Sequence, residues 1–189
     1  DGLNGFVSGQ MLMIITTIFS IIYMNNLDID NNLFINIEIF FFICLIFFLF
    51  NLIGACFLGD NGIYIFSIFL SLLIIDFTEN TQGLVSPLIA AIFLWYPAYE
   101  NLFSILRRLK KNKLISEPDV LHLHILLKSF IYKSYKHKFS YSKINSITAI
   151  LINISLIPNF LLGAIWYNNS TKLTLLIIFQ IFVYMFVYF

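Results

Sequence analysis

The chain has 189 residues, of which 60% are hydrophobic and only 11% are charged, and its mean hydropathy is +0.89. A soluble domain is about half apolar and a quarter charged, so this chain cannot cover itself with polar surface and belongs in a lipid bilayer. The formal net charge of +1 excludes little, because the charges are strongly segregated. Cys44 and Cys56 have no metal-binding spacing, and we expect them to be buried or lipid-facing.

Six segments are long and apolar enough to cross a membrane, since a spanning helix needs about twenty mostly apolar residues. Each must be helical, because a backbone in hydrocarbon has no water to bond. The sequence therefore predicts an all-α fold, a multi-pass transmembrane helix bundle that forms one integral membrane domain over residues 1–189. The predicted spans are 6–24, 33–52, 62–76, 84–105, 145–166 and 172–189.

One connection, residues 106–143, carries ten of the eleven lysines and arginines. The positive-inside rule predicts that this basic loop faces the cytoplasm. Its lysine and tyrosine pattern over 128–143 favours attraction to anionic lipid over nucleic-acid binding, because no nucleic-acid motif accompanies it.

Counting spans backward from the basic loop assigns a side to every other connection. The outer segments are 25–32 and 76–83, and the inner segments are 1–5 and 52–61. Asp1, Asp60 and the histidines of the basic loop are therefore predicted to share the cytoplasmic side.

The segment Phe57 to Gly62, FLGDNG, places the carboxylate of Asp60 between two glycines, where one apolar run ends and another begins. Glycines let a backbone turn tightly or approach a ligand, and a helix that opens at Asn61 has an N-terminus that favours anions. Asp60 could cap that helix or bind a metal or phosphate, and the residue pattern supports both interpretations equally. DGLNG at 1–5 is a similar cluster that alone is more typical of an ordinary turn.

Two histidines, His122 and His124, lie two residues apart in the basic loop. On a helix, side chains at this spacing diverge by about 200°. The spacing therefore disfavours a shared zinc ion and suits phosphate contacts or a proton relay. Two solvated histidines are an equally supported alternative.

The fourth span ends in aromatic and charged residues. Trp95, Tyr96 and Tyr99 fit an interfacial aromatic belt, and Pro97 would kink the helix. Glu100 is harder to explain, because an acidic residue near hydrocarbon costs a few kcal/mol. The arginine pair that follows, Arg107 and Arg108, could bind phosphate, although the residue pattern favours a positive-inside anchor.

Together and in this order, these segments resemble the polyprenyl-phosphate N-acetylhexosamine-1-phosphate transferases. That membrane family (glycosyltransferase family 4) includes the first lipid-linked steps of peptidoglycan, O-antigen and teichoic acid synthesis. DGLNG at 1–5 looks like the end of the family's DGxDG segment, and FLGDNG at 57–62 looks like its FxGDxG segment. WYPAYENLFSILRR at 95–108, followed by PDVLHLH at 118–124, is similar to the bacterial branch that acts on UDP-N-acetylglucosamine-like donors.

The resemblance implies an enzyme that moves a sugar-1-phosphate, with N-acetylglucosamine-1-phosphate as the first choice, from a UDP-sugar to polyprenyl (undecaprenyl) phosphate and releases UMP. It implies Mg²⁺ as the cofactor, with Mn²⁺ as an alternative, because the diphosphate must be neutralised, and Asp60 as its oxygen ligand. The implied catalytic residues are Asp1, Asp60, His122 and His124. The implied substrate-binding residues are Asn4, Asn61, Arg107 and Arg108.

The implied setting is the plasma (inner) membrane, with the site loops on the cytoplasmic side. The partners would be the UDP-sugar, the polyprenyl phosphate and the lipid bilayer, and a homodimer is compatible with the sequence. The acceptor's tail would stay in lipid while its phosphate reaches the interface.

The sequence also departs from the family pattern. Asn4 stands where the family often has a second Asp, Ile63 where it often has Ser, and Ile125 where its histidine cluster usually continues. The family's paired-aspartate motif lies upstream of the DGxDG segment and has no match here, since Asp28 and Asp30 fall on the predicted outer face. We therefore expect the chain to be the C-terminal part of a longer transferase and to be inactive alone.

Two other classes of function remain as alternatives. A non-catalytic or decayed membrane protein would explain the three departures. A transporter would need ionisable residues inside the spans, facing a pathway. Apart from Glu38, the carboxylates cluster at the ends of the predicted helices, which disfavours a transporter.

Overall fold

A computed structural model gives the fold of the chain and describes residues 2–110 and 121–188. These residues form seven α-helices and no strand. Six of the helices are long and apolar enough to cross a membrane, which confirms the predicted multi-pass transmembrane bundle. The helices are α1 (Phe6–Asn25), α2 (Asn31–Leu52), α3 (Gly59–Asn80), α4 (Leu88–Lys110), α5 (Leu123–Tyr135), α6 (Tyr141–Ile165) and α7 (Ser170–Tyr188).

The helix boundaries correct the predicted spans, which followed the apolar runs too closely. Asp76 and Glu79 belong to the end of α3 rather than to an outer loop, and both arginines of the predicted basic loop belong to the last turn of α4. Within that loop, residues 123–135 form α5. Helices continue past the last apolar residue because polar side chains at a membrane surface cost the helix little.

The first helix is the centre of the bundle. It packs most extensively against α6 and then α2, while α6 also contacts α4 and α5, α4 packs on α7, and α3 lies mainly against α2. Small residues permit the central contact, because Gly9 of α1 lies directly against the side chain of Asn153 of α6. Close approach at small residues is a common mode of packing between membrane helices.

The outer helices expose large apolar side chains. Only 22% of the most apolar stretch of α2 is buried inside the bundle. Phe42, Ile46 and Phe50 of this helix are each more than half exposed. A continuous apolar surface of this kind is expected of helices that face lipid.

Amide side chains join the helix ends that surround the candidate site. We call Asn4, Asn51, Asn145 and Asn153 the asparagine cluster. The Asn51 side chain accepts a hydrogen bond from the Gly5 backbone at 2.6 Å, Asn145 donates to Asn4 at 3.1 Å, and Asn153 donates to the Gly5 carbonyl at 3.0 Å. These bonds hold the start of α1 against the end of α2 and the start of α6. Gly5 has a φ of +81°, a conformation that glycine adopts readily.

The contact between α4 and α6 depends on Gly163. A Cβ atom at this position would lie 2.9 Å from the Ile92 side chain of α4. We expect Gly163→Leu to lower the free energy of unfolding by about 1–3 kcal/mol through overpacking, measured as a reduced melting temperature in detergent. Ser155→Leu, on the exposed side of α6, is the matched control and should melt like the unmodified protein. Equal melting of the two variants would contradict the packing assignment.

Candidate functional site

The candidate site residues lie near one end of the bundle, which we call the site end. It is the end at which α1, α3 and α6 begin and α2, α4 and α7 finish. The asparagine cluster joins the starts of α1 and α6 to the end of α2, and Phe6 of α1 stacks on His124 of α5 at 5.7 Å. Successive spanning helices thus run in opposite directions, as the count of spans in the sequence predicts.

A buried carboxyl group, that of Glu100, organises the site end. The residue is 4% exposed and lies on α4. Its Oε1 atom accepts a hydrogen bond from the Leu123 backbone at 2.9 Å and lies 3.0 Å from Nδ1 of His122. Its Oε2 atom accepts from the Tyr184 hydroxyl at 2.8 Å. The three contacts compensate for the loss of water around the acid and bring together α4, α5 and α7.

His122 is the residue at which the chain changes from extended backbone to helix. It is the N-cap of α5, with φ −66° and ψ 143°, and its own side chain makes no capping hydrogen bond. Instead the ring turns back to Glu100, whose carboxyl group bonds the first backbone N–H of α5. The helix start is therefore capped from α4, which satisfies one of the donors that a helix leaves open.

The rings of His122 and His124 are stacked, with centroids 5.3 Å apart and an interplanar angle of 13°. The prediction that the two side chains diverge was wrong, because it assumed that both residues lie on one helix. His122 is extended and His124 is helical, and this change brings the rings side by side. The other face of His124 stacks on Phe6.

Burial controls the protonation of His124. Its Nδ1 atom is buried and has no hydrogen-bond partner among the described residues. Desolvation lowers the pKa of His124 to about 4, because burial disfavours the charged ring. At neutral pH this histidine is therefore an uncharged aromatic surface for its neighbours.

Arg107 is tied to the same group of side chains through Tyr188. It donates to the tyrosine hydroxyl at 2.7 Å, and its guanidinium lies over the rings of Phe103 and Tyr188 at 5.4 and 5.5 Å. The hydroxyl donates in turn to the carbonyl of Leu121 at 3.1 Å, the residue before His122. One tyrosine thus links an arginine of α4 to the histidine segment.

Arg108 lies beside Arg107 in the last turn of α4. Its guanidinium donates to the buried hydroxyl of Ser104, one turn earlier, at 2.9 Å. Both arginines are half-buried, and cations at this position also interact favourably with the helix dipole. Their placement is compatible with phosphate binding and with anchoring at the membrane surface.

Asn4 is a buried member of the asparagine cluster and is 5% exposed. Its side-chain oxygen accepts a hydrogen bond from Asn145, so it holds α1 to α6. The position is close to the histidines, because Phe6, two residues further on, stacks on His124. A neutral amide that accepts from another amide suits this buried position better than a carboxylate would.

Asp60 and Asn61 lie in the first turn of α3 and are exposed. The interpretation of Asp60 as the helix cap was wrong, because the N-cap is Leu58 and no side chain caps this helix. The first residue of α3 does favour glycine, since Gly59 has a φ of +63°. The Asp60 side chain makes no hydrogen bond or ion pair within residues 2–110 and 121–188.

The connection from α2 brings Asp60 to the site end. Asn51 donates to the carbonyl of Cys56 at 2.8 Å, and a Cβ atom on Gly54 would lie 3.1 Å from the Asn4 amide. The segment therefore passes beside the asparagine cluster before α3 begins. No hydrogen bond or ring contact joins Asp60 to His122 or His124 in the described part of the chain.

The described residues fit a magnesium ion only in part. No group of three or more His, Cys, Asp or Glu side chains is placed to hold a metal within them. Mg²⁺ is usually bound through one or two carboxylates, with substrate phosphates and water completing its shell. The exposed Asp60 fits one such carboxylate, so an ion here would depend on the substrate for further ligands.

Asp1 and the segment 111–120, which includes Pro118 to Val120 of the histidine motif, lie outside the described residues. Of the site residues predicted from the sequence, the structure brings together His122, His124 and Arg107 and places Asn4 next to them. It leaves Asp60 and Asn61 apart on α3.

Sequence reasoning gave no site role to Glu100, Tyr184 or Tyr188. A signal for Glu100 was present, since an acid in an apolar run requires a partner. Nothing in the sequence connects it to Tyr184, which is 84 residues away.

Comparisons with protein-family models, with curated proteins and with solved structures found no match. The six long apolar helices assign the chain to the class of multi-pass membrane helix bundles. Its function therefore has to be argued from the site.

The low pKa of His124 predicts how stability changes with pH. Between the ordinary pKa of 6.5 and the folded value of about 4, the unfolded chain binds more protons, so stability falls as the pH decreases through this window. We expect the loss at pH 4.5 to be about 2 kcal/mol after screening, measured by melting in detergent. His124→Phe should reduce this loss, whereas His137→Phe, at an exposed position, should retain it. Equal pH dependence in both variants would contradict the assignment.

Proposed function

We propose that this chain serves in a membrane transferase that moves a sugar-1-phosphate from a UDP-sugar to polyprenyl phosphate, as the resemblance of its motifs implies. The single observation that carries the proposal is the convergence of these motifs. Residues from three separate segments, Asn4, Arg107 and His122, are gathered at the site end.

The position of these residues suits a reaction between a lipid and a soluble substrate. One end of each of the six apolar helices lies at the site end. A polyprenyl tail could therefore lie against the exposed apolar faces of these helices while its phosphate reaches the polar residues. The UDP-sugar would arrive from water. We place this side in the cytoplasm on the basis of the ten cationic residues between 107 and 143.

In the proposed reaction an oxygen of the polyprenyl phosphate attacks the β-phosphorus of the UDP-sugar and forms a new P–O bond. The bond between that phosphorus and the bridging oxygen breaks, and UMP leaves with the bridging oxygen and its electron pair. Negative charge is present on all reacting groups, so catalysis consists mainly of positioning and electrostatic stabilisation.

The chain offers three kinds of group for this purpose. His122 can donate from Nε2 to a diphosphate oxygen when both of its ring nitrogens carry a proton, and the guanidinium groups of Arg107 and Arg108 can form charge-assisted hydrogen bonds with phosphate. Asp60, and Asp1 by resemblance, would hold Mg²⁺ or contact the nucleotide. The ion, when bound, would neutralise charge on the diphosphate.

The proposal predicts that Asp60→Asn lowers UMP release by about 100-fold or more, because a charge-stabilising group at the reacting phosphates would be lost. The assay uses the full-length protein in detergent, with UDP-N-acetylglucosamine, undecaprenyl phosphate and a series of Mg²⁺ concentrations. Asp76→Asn makes the same change near the other end of α3 and should leave turnover unchanged. Undiminished turnover in Asp60→Asn would refute the metal-ligand role, and an inactive unmodified protein would refute the transferase.

The proposed sidedness has its own test. In a background that lacks Cys44 and Cys56, we expect Asn61→Cys to react with a membrane-impermeant thiol reagent only when the cytoplasmic face is accessible. Asn168→Cys, between α6 and α7, should react only from the opposite face. The reverse pattern would place the site end outside the cell, where UDP-sugars are not supplied, and would remove the basis for the proposed reaction.

A further inference from the structure

We infer that Glu100 is a positioning residue for His122, and that its carboxyl group turns the imidazole ring so that Nδ1 faces the protein and Nε2 faces the site end. The inference rests on the proposed function, in which His122 contacts the diphosphate, and adds the residue through which that histidine would act. Glu100 itself is buried at the Nδ1 edge of the ring and is not placed to touch the substrate.

The contact defines which ring nitrogen carries the proton. Oε1 of Glu100 already accepts the Leu123 N–H at 2.9 Å and lies 3.0 Å from His122 Nδ1. An ionised carboxylate oxygen can only accept hydrogen bonds, so the proton of this contact belongs to Nδ1. The hydrogen bond made by one ring nitrogen determines the tautomer of a neutral histidine. Nε2 is therefore the nitrogen that remains for a ligand or for proton transfer.

Nε2 is also the accessible nitrogen. The His122 side chain is 18% exposed, and among the described residues its Nε2 atom has no hydrogen-bond partner. The Nε2 atom is not fully buried, so solvent reaches it. Its neighbour His124 differs, because the Nδ1 atom of that ring is buried without a hydrogen-bond partner among the described residues. Of the two stacked rings, His122 is thus the one that a hydrogen bond orients, and its Nε2 atom donates to a phosphate oxygen when the ring is protonated.

The carboxyl group is held firmly enough to orient the ring. Tyr184 of α7 fixes Oε2 at 2.8 Å, and the backbone of Leu123 fixes Oε1. Because Leu123 is the first residue of α5, the same carboxyl group sets where that helix starts and hence where His122 sits. Histidines that bind a metal ion are commonly oriented in this way, and removing the orienting group there typically costs 10–100-fold in metal affinity or activity.

The pairing can be tested without relying on turnover. Nuclear magnetic resonance of the full-length protein, labelled with ¹⁵N in its histidine rings, reports the proton on each nitrogen, and the His122→Gln variant identifies the signals. We expect a proton on Nδ1 of His122 at pH 8 and a shift of this resonance in Glu100→Gln, because an amide accepts a weaker hydrogen bond than a carboxylate. Glu79→Gln, an exposed residue on α3, should change nothing. An unchanged His122 signal in Glu100→Gln would overturn the inference.

The catalytic consequence is tested by a double-mutant cycle in the UMP-release assay. We expect Glu100→Gln to lower kcat by 10–100-fold, and the double variant with His122→Gln to be no slower than His122→Gln alone, because both changes act through one ring. Losses that multiply independently would overturn the positioning role. Should Glu100→Gln fail to fold, Tyr184→Phe provides the same cycle with a smaller expected loss. A resonance shift without transferase activity in the unmodified protein would instead refute the proposed function.

Discussion

The site end depends on one constraint, which is that a carboxyl group placed among apolar helices must find its hydrogen-bond donors within the protein. Glu100 is almost completely buried, and water cannot compensate for the loss of its hydration there. It obtains three donors, one from α7 and two from the start of α5. The stabilisation of one acid thus determines how three helices meet and how the histidine segment is oriented.

The asparagine cluster applies the same rule to the other half of the bundle. Amide groups can both donate and accept, so Asn51 and Asn145 connect helix ends without introducing charge. The two halves meet where Phe6 of α1 stacks on His124 of α5. The site end is therefore rigid on the side of α1, α4, α5 and α7, whereas α3, which carries Asp60, lies mainly against α2.

The overall fold could be predicted from the sequence because the bilayer reduces the problem to apolar length. The six spans and their alternation follow from that rule and from the charges of residues 106–143. The details of the site could not be predicted in the same way. Ring stacking of His122 and His124 depends on a change of backbone conformation between them, and the partner of Glu100 on α7 is distant in sequence. Spacing rules describe neither, since both arise from tertiary packing.

The division of the site end into a rigid part and an exposed acidic part suits the chemistry proposed for it. Groups that orient a diphosphate should be held before the substrate arrives, because ordering them during the reaction would raise the barrier. A carboxylate that binds Mg²⁺ has the opposite requirement, since the ion brings its own ligands from the substrate and needs an open coordination position. The hydrogen-bonded pair of Glu100 and His122 meets the first requirement, and the exposed Asp60 on α3 meets the second. The departure at Asn4 fits this division, because Asn4 is buried and its amide oxygen accepts the hydrogen bond from Asn145 that holds α1 to α6.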